Sequence, residues 1–312
     1  MTDRVLLPWA DYAESLGGAA DGLDVAVWEL GSPEPPQDVL DDVVLYVPEY
    51  EGGPAVLEAM ARMPRLQTVQ SLWAGVDAVW PHLPFGVALH NAAGVHDAST
   101  AELAVALALA SLRGLDRFAR QMPTGEWRRG RYDSIADKRV LILGYGRIGA
   151  AIERRLEPFE VADVVRVATT ARTTADGRQV HGIDELPALL PDVDVVVLIV
   201  PQTPATTGLV DAAFLARMRP GALLVNVARG PVVVTDDLVA ALQEGRVRAA
   251  LDVTDPEPLP AGHPLWQAPG VLISPHVGGN SSAFLPRAQR LVAHQLRRWK
   301  SGQPLDNLVA RP

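Results

Sequence analysis

The chain has 312 residues, 48% hydrophobic and 21% charged, an ordinary globular balance with length enough for two domains. It carries 37 acidic against 28 basic residues, net −9, with no basic cluster of the size that nucleic-acid binding needs. Cysteine is absent, which excludes disulfides, thiolate metal sites and a cysteine nucleophile, and no metal site is expected.

The opening MTDRVLLPWADYAE turns polar too soon for a signal peptide. The most apolar run, Leu103–Leu112, is too short to span a bilayer. A soluble cytoplasmic protein with no membrane contact is the expectation. Short apolar runs at Val5–Leu7, Val25–Trp28, Val43–Val47, Leu66–Gln70 and Val87–Leu89 read as strands, with Pro54–Arg62 as the clearest helix among them. Such alternation predicts a parallel sheet covered on both faces. NAAGVHD at 91–97 breaks the pattern, and Ala101–Arg120 follows as nearly continuous helix, with Ser99 or Thr100 as its N-cap. Its wide apolar face must be buried on several sides, between domains or at a subunit interface. Residues 121–137, with Pro123, Gly125, Gly130 and Trp127-Arg128-Arg129, read as an extended arm. An exposed tryptophan there points to a partner surface; folding back on its own chain is the alternative.

The stretch VLILGYGRIG at 140–149 organises the rest. Val140 to Leu143 read as a buried strand, Gly144, Gly146 and Gly149 follow as G-x-G-x-x-G, and Arg147–Leu156 continues as helix. That order is the context a dinucleotide site requires. The first glycine allows a tight turn, the second lets backbone approach a pyrophosphate, and the third lets helix pack on strand. Arg147 and Ile148 open the helix, whose free N–H groups would face the phosphates. Further strands are predicted at Val164–Val167, Val193–Val200, Leu223–Val227, Ala249–Val253 and Val271–Ile273, with helices at Asp211–Arg217 and Asp236–Glu244. Ser281–Lys300 reads as a long closing helix with Leu291, Gln295, Leu296 and Trp299 on one side.

For NAD, an acidic residue is expected about 20 residues beyond the glycine turn, on the ribose hydroxyls. After the predicted strand Val164–Val167 the chain reads Ala168-Thr169-Thr170-Ala171-Arg172, with no acid. Asp163 precedes that strand and belongs to its other end. Thr169, Thr170 and Arg172 suit a 2′-phosphate, so NADP(H) is favoured over NAD(H); a solvated Arg172 is the alternative.

In an open parallel sheet, ligands sit beyond the carboxyl ends of the strands. Arg229, Asp252, Glu257 and His276 all fall just after predicted strands, on the rim of the glycine turn. Each has a structural alternative: a capping arginine, a loop carboxylate, a satisfied histidine. As a set they have a chemistry. Histidine can donate and recover a proton near neutrality. A carboxylate beside it fixes its tautomer, and a guanidinium can bind a carboxylate at two points. Together they would serve hydride transfer between a nicotinamide and a 2-keto acid.

Seven segments then stand in order: QSLWAGVD at 70–77, NAAGVHDASTAE at 91–102, LGYGRIG at 143–149, VPQTPATTGLV at 200–210, NVARGPVV at 226–233, LDVTDPEPLP at 251–260 and SPHVGG at 274–279. With them the chain resembles the D-isomer-specific 2-hydroxyacid dehydrogenase family over almost its whole length, in the short glyoxylate/hydroxypyruvate reductase form without a regulatory domain. The resemblance implies an α/β fold of two doubly wound parallel-sheet domains, a Rossmann dinucleotide-binding domain over 95–281 and a flavodoxin-like substrate domain over 1–94, to which a C-terminal helix over 282–312 returns. It implies Arg229, Glu257 and His276 as the catalytic set. Asp252 would hold the carboxamide side of the nicotinamide, with Thr206, Val227, Ala228 and Gly278 as further cofactor contacts. Backbone N–H groups of Ala74 and Gly75 would meet the substrate carboxylate, as would Arg229. It also implies a homodimer through the helix and arm of 98–135.

Two departures bear on substrate. Asp255 stands near Glu257 as a rival partner for His276. Trp73 occupies the place where phosphoglycerate-using relatives carry an arginine, which favours a plain or apolar substrate; a core-facing Trp73 would say nothing. Tyr46, Tyr50, Phe284 and Leu285 are candidates to shape the pocket. The activity expected is reduction of a small 2-keto acid, or oxidation of a D-2-hydroxy acid, with NAD(P). A phosphite-type dehydrogenase of the same fold and a non-catalytic nicotinamide-sensing scaffold are the rivals. Glutamine at the Glu257 position marks formate-using relatives, so Glu257 argues against formate.

Overall fold

The computed structural model describes residues 3–310. The chain divides into two compact units, residues 1–96 with 282–312, and residues 97–281. The first boundary falls two residues beyond the expected 94. His96 bonds the Leu72 carbonyl within the first unit at 2.8 Å, and the helix of the second unit starts at Asp97.

In the first unit, β1 (Arg4–Leu7), β2 (Asp24–Val27), β3 (Val43–Tyr46), β4 (Thr68–Gln70) and β5 (Ala88–His90) are parallel, in the order β5-β4-β3-β1-β2. This is the flavodoxin-like order 2-1-3-4-5. Successive side chains of β1 enter opposite cores: Leu6 joins Tyr46, Met60 and Leu89 on one face, while Val5 and Leu7 join Leu45 and Leu72 on the other. Each such side chain contributes about 1.5–3 kcal/mol by leaving water, which is why strands buried on both faces read as unbroken apolar runs. The helix Phe284–Lys300 lays Ala288, Val292 and Leu296, one above another, on the second of these cores. Its buried Gln295 donates to Gln70 Oε1 at 2.7 Å and accepts from the Asp306 N–H. A short strand at Leu308–Ala310, which the sequence does not announce, pairs antiparallel with β5.

The second unit carries β6 (Arg139–Leu143), β7 (Asp163–Ala168), β8 (Arg172–Thr173), β9 (Gln179–Gly182), β10 (Val195–Leu198), β11 (Leu223–Asn226), β12 (Arg248–Leu251) and β13 (Val271–Ile273), in the order β13-β12-β11-β10-β6-β7-β9-β8. All are parallel except β8, which forms a hairpin with β9. Strand order reverses between β6 and β10, the switch point at which doubly wound sheets bind ligands. Val140 and Ile142 face one core and Leu141 and Leu143 the other.

The predicted long helix is two helices, Asp97–Arg113 and Leu115–Gln121, with a bend of 66° at the break. Gly114 has φ +66, and a Cβ there would overlap the Tyr132 ring at 2.4 Å. The first helix starts at Asp97, so Ser99 and Thr100 lie inside its first turn and do not cap it. Ser99 bonds Ser281 at 2.6 Å and Thr100 donates to the Gly278 carbonyl at 3.2 Å. The apolar face of this helix packs within the second unit, against β11, β12 and β13 and the helix Arg147–Leu156. Trp127 does not fold back on its chain: it is 88% exposed. Among the described residues no single helix is long and apolar enough to cross a membrane.

Candidate active site

The glycine turn after β6 is built as its spacing predicts. Gly144 has φ +110, and a Cβ there would stand 2.4 Å from the Ile199 carbonyl oxygen, so only glycine makes this turn. A Cβ on Gly149 would meet the Gly144 carbonyl oxygen at 2.6 Å, which sets the close approach of helix to turn. A Cβ on Gly146 would meet nothing within 4 Å. That open space lies at the first turn of the helix Arg147–Leu156, where backbone N–H groups have no intrahelical acceptor. The cradle fits the pyrophosphate of a dinucleotide. Ile148 packs half-buried on the core, and Arg147 pairs with Asp97 at 3.0 Å.

Thr169 and Thr170 in the loop after β7, and Arg172 at the start of β8, are exposed, and Arg172 donates to the Tyr145 carbonyl inside the glycine turn at 2.5 Å. Asp163 is the first residue of β7 and sits by Arg139, at the opposite end of that strand. After β10, the Thr206 hydroxyl accepts from the Thr203 N–H at 2.8 Å and bonds the Pro201 carbonyl at 2.6 Å, closing that loop on itself.

Past β11, buried Asn226 accepts from the Ala228 N–H at 3.0 Å and donates to the Arg229 carbonyl at 3.1 Å, clamping Val227, Ala228 and Arg229 into one turn. Arg229 is half-buried, with Nη1 on the Ala228 carbonyl at 2.8 Å. A Cβ on Gly230 would stand 1.9 Å from the Thr254 carbonyl oxygen, so no side chain fits between the Arg229 turn and the loop that carries Glu257.

His276 and Glu257 meet: Nδ1 lies 2.5 Å from Oε1, with both side chains partly open to solvent. The rival Asp255 uses its backbone carbonyl to accept from Thr235. His276 holds φ +53, in the left-handed region that glycine, asparagine, aspartate and histidine adopt more than other residues do. What holds it there is Asp252. Its buried carboxylate accepts from Ser274 Oγ at 2.6 Å and from the N–H groups of Val277 and Gly278 at 2.9 and 2.8 Å, while its carbonyl accepts from the His276 N–H at 2.8 Å. Asp252 therefore builds the histidine loop, a duty that its position after a strand does not announce. The sequence spacing does not mark Asn226 or Gly230 either. An asparagine at a strand end just before a turn was the available signal for the first.

In the first unit, the loop 71–75 is tied down by its neighbours. Ser71 Oγ accepts from the Trp73 N–H at 3.0 Å, Asn91 donates to the Ala74 carbonyl at 2.9 Å, and Ala92 donates to the Trp73 carbonyl at 2.9 Å. Among the described residues the N–H groups of Ala74 and Gly75 have no acceptor within the chain. Trp73 is half-buried against the core and stacks on Tyr50 with ring centroids 5.5 Å apart. Tyr50 stacks in turn on Phe284 at 4.4 Å. Tyr46 lies in the core, its hydroxyl on the Val56 carbonyl at 3.0 Å and its pKa pushed up by burial first and by Glu49 second. Leu285 is 45% exposed.

A separate cavity of about 350 Å³ in the second unit is lined by Arg117, Arg131, Tyr132, Asp133, Arg248 and Gly270, among others, at the starts of β12 and β13. It lies at the opposite ends of these strands from Asp252 and His276. Among the described residues no group of three or more His, Asp or Glu side chains could hold a metal ion.

Comparison with known proteins adds four findings. Residues 105–278 match the family model described as D-isomer specific 2-hydroxyacid dehydrogenase, NAD binding domain. Glyoxylate/hydroxypyruvate reductase A of Serratia proteamaculans is 32% identical over 297 residues, 90% of this chain and 89% of the relative. Among solved structures, a D-isomer specific 2-hydroxyacid dehydrogenase of Xanthobacter autotrophicus Py2 in complex with NADPH and MES is 31% identical with a TM-score of 0.78, covering 99% of this chain and 98% of that one. NADPH-dependent glyoxylate/hydroxypyruvate reductase of Sinorhizobium meliloti, in complex with NADP and sulfate, is 28% identical with a TM-score of 0.82, covering 98% of each chain.

Proposed function

This chain belongs to the D-isomer specific 2-hydroxyacid dehydrogenase family and is an NAD(P)-dependent oxidoreductase, and we propose that it reduces small 2-keto acids to D-2-hydroxy acids with NADPH. The observation that carries this reading is the 2.5 Å bond between His276 Nδ1 and Glu257 Oε1 on the rim of the glycine turn. With Nδ1 committed to Glu257, Nε2–H is the ring's remaining donor, and the carboxylate stabilises the imidazolium from which the proton leaves. His276 gives that proton to the carbonyl oxygen. Arg229 binds the substrate carboxylate through its planar fork and polarises the adjacent carbonyl. Gly144, Gly146 and Gly149 with the helix N-terminus hold the dinucleotide, joined by Thr206, Val227, Ala228 and Gly278, and Asp252 aligns the loop at its nicotinamide end. When bound, the dinucleotide supplies the hydride for C2.

For the cofactor, the absence of an acid after β7 and the presence of Thr169, Thr170 and Arg172 support NADPH. The expected result is kcat/KM for NADPH ahead of NADH by about tenfold or more, the worth of one or two charge-assisted hydrogen bonds. The check follows absorbance loss of each cofactor with glyoxylate, pyruvate, hydroxypyruvate and phenylpyruvate. NADH ahead would overturn the reading of the β7 loop and leave the catalytic set standing. No turnover in protein that binds either cofactor would overturn the keto-acid reading itself.

The proposal extends to a homodimer through the two helices and arm after residue 97. Leu115, Met122 and Trp127 support it, being 52%, 79% and 88% exposed along one stretch. Sedimentation of the wild type as a dimer, and of Met122→Ser/Trp127→Ser with a raised monomer fraction, is the expected outcome. A monomeric wild type at micromolar concentration would end this part of the proposal.

A further inference from the structure

Behind the glycine turn stands a carboxylate that the proposed reaction does not use. Glu153, on the helix Arg147–Leu156, is 2% exposed. Its Oε2 accepts from the Tyr145 phenol and, at 2.9 Å, from Arg166 Nε. Its Oε1 accepts from Arg166 Nη2 and, at 2.6 Å, from Arg178 Nη1. The Arg166 guanidinium also lies 5.8 Å from the Tyr145 ring centroid. Tyr145 is the residue between the first two glycines, and its carbonyl is the acceptor that holds Arg172.

We propose that Glu153 is a positioning residue for the ribose end of the dinucleotide: by fixing the Tyr145 ring it fixes the carbonyl that presents Arg172 to a 2′-phosphate. The proposal rests on the reading of Thr169, Thr170 and Arg172 as the 2′-phosphate site. Arg172 is a long, exposed side chain, and ordering such a side chain costs up to about 2 kcal/mol. A fixed acceptor orders it before the ligand arrives, so less is lost on binding. Burial alone would push the Glu153 carboxyl up. The hydrogen bonds from Arg166 and Tyr145, with the charges of Arg166 and Arg178, outweigh it and hold the carboxyl below the ordinary carboxylate range. The group therefore stays ionised at neutral pH and keeps its donors.

Isothermal titration calorimetry with adenosine 2′,5′-bisphosphate and with 5′-AMP tests this without turnover. The wild type is expected to prefer the bisphosphate, and Arg172→Ala to abolish the preference. Tyr145→Phe and Glu153→Gln are expected to weaken the bisphosphate by about fivefold to tenfold, the worth of one lost hydrogen bond in the chain that holds Arg172, with 5′-AMP changed less than about twofold. Tyr145→Phe keeps the ring and removes one buried hydroxyl, so it serves even where Glu153→Gln does not fold. A wild type that binds both probes equally overturns the 2′-phosphate reading on which the proposal rests. A wild-type preference that survives Tyr145→Phe and Glu153→Gln, whether the bisphosphate affinity is kept or both probes weaken alike, overturns the role of Glu153 alone.

Discussion

Replacing His276 by asparagine is expected to cut keto-acid reduction by about 10²–10⁴-fold, the range that a positioned acid–base group contributes, while dinucleotide binding is retained. Asparagine is the informative replacement because it tolerates the φ of +53 that this position holds. The loop pinned by Asp252 then keeps its shape, and only the imidazole is lost. Steady-state kcat, set beside the dissociation constant of NADPH measured by calorimetry, separates chemistry from binding. Turnover within tenfold of the wild type would remove His276 from the mechanism. Glu257→Gln should fall between the two, since glutamine can still accept from Nδ1 but cannot stabilise the imidazolium by charge.

Arg229→Lys is expected to lower kcat/KM for 2-keto acids by about 10–100-fold. Lysine keeps the charge and loses the two-point fork, and one hydrogen bond to an ionised group is worth about 1.5–3 kcal/mol. NADPH affinity should stay unchanged, because the turn is held by Asn226 through backbone groups and not by the guanidinium alone. A parallel fall in NADPH affinity would show that Arg229 serves the shape of the turn, with no direct part in binding substrate.

The strands were legible because both of their faces are buried. Val140–Leu143, Val193–Val200 and Leu223–Val227 read as strands from composition, and the strand residues Val140–Leu143, Val195–Leu198 and Leu223–Val225 are all buried. The hairpin of β8 and β9 was not legible. Its two strands are short and largely exposed, and what holds them is backbone pairing that leaves no apolar pattern. The break at Gly114 was missed for a related reason: a glycine inside a helical run is tolerated, and here the Tyr132 ring, which arrives from the arm, marks the break. Ser99 and Thr100 looked like caps because hydroxyls commonly are; their partners lie at Ser281 and Gly278, far along the chain.

In the site, residue type and strand-end position place His276 and Glu257 in one candidate set with Arg229 and Asp252, the resemblance names Glu257 as the partner, and the structure brings the two side chains together. The supporting polar residues were less visible. Asn226 and Glu153 do their work through partners that only folding brings near, and sequence spacing carries no trace of an arginine arriving from another strand or hairpin.

The carboxylate of Asp252 has a consequence for anyone redesigning this rim. The orientation of the imidazole is inherited from the end of a neighbouring strand, through Ser274, Val277 and Gly278. Grafting only a histidine and a glutamate onto another parallel sheet would not transfer it, because the smallest portable module is the two strand ends together with the buried acid that staples them.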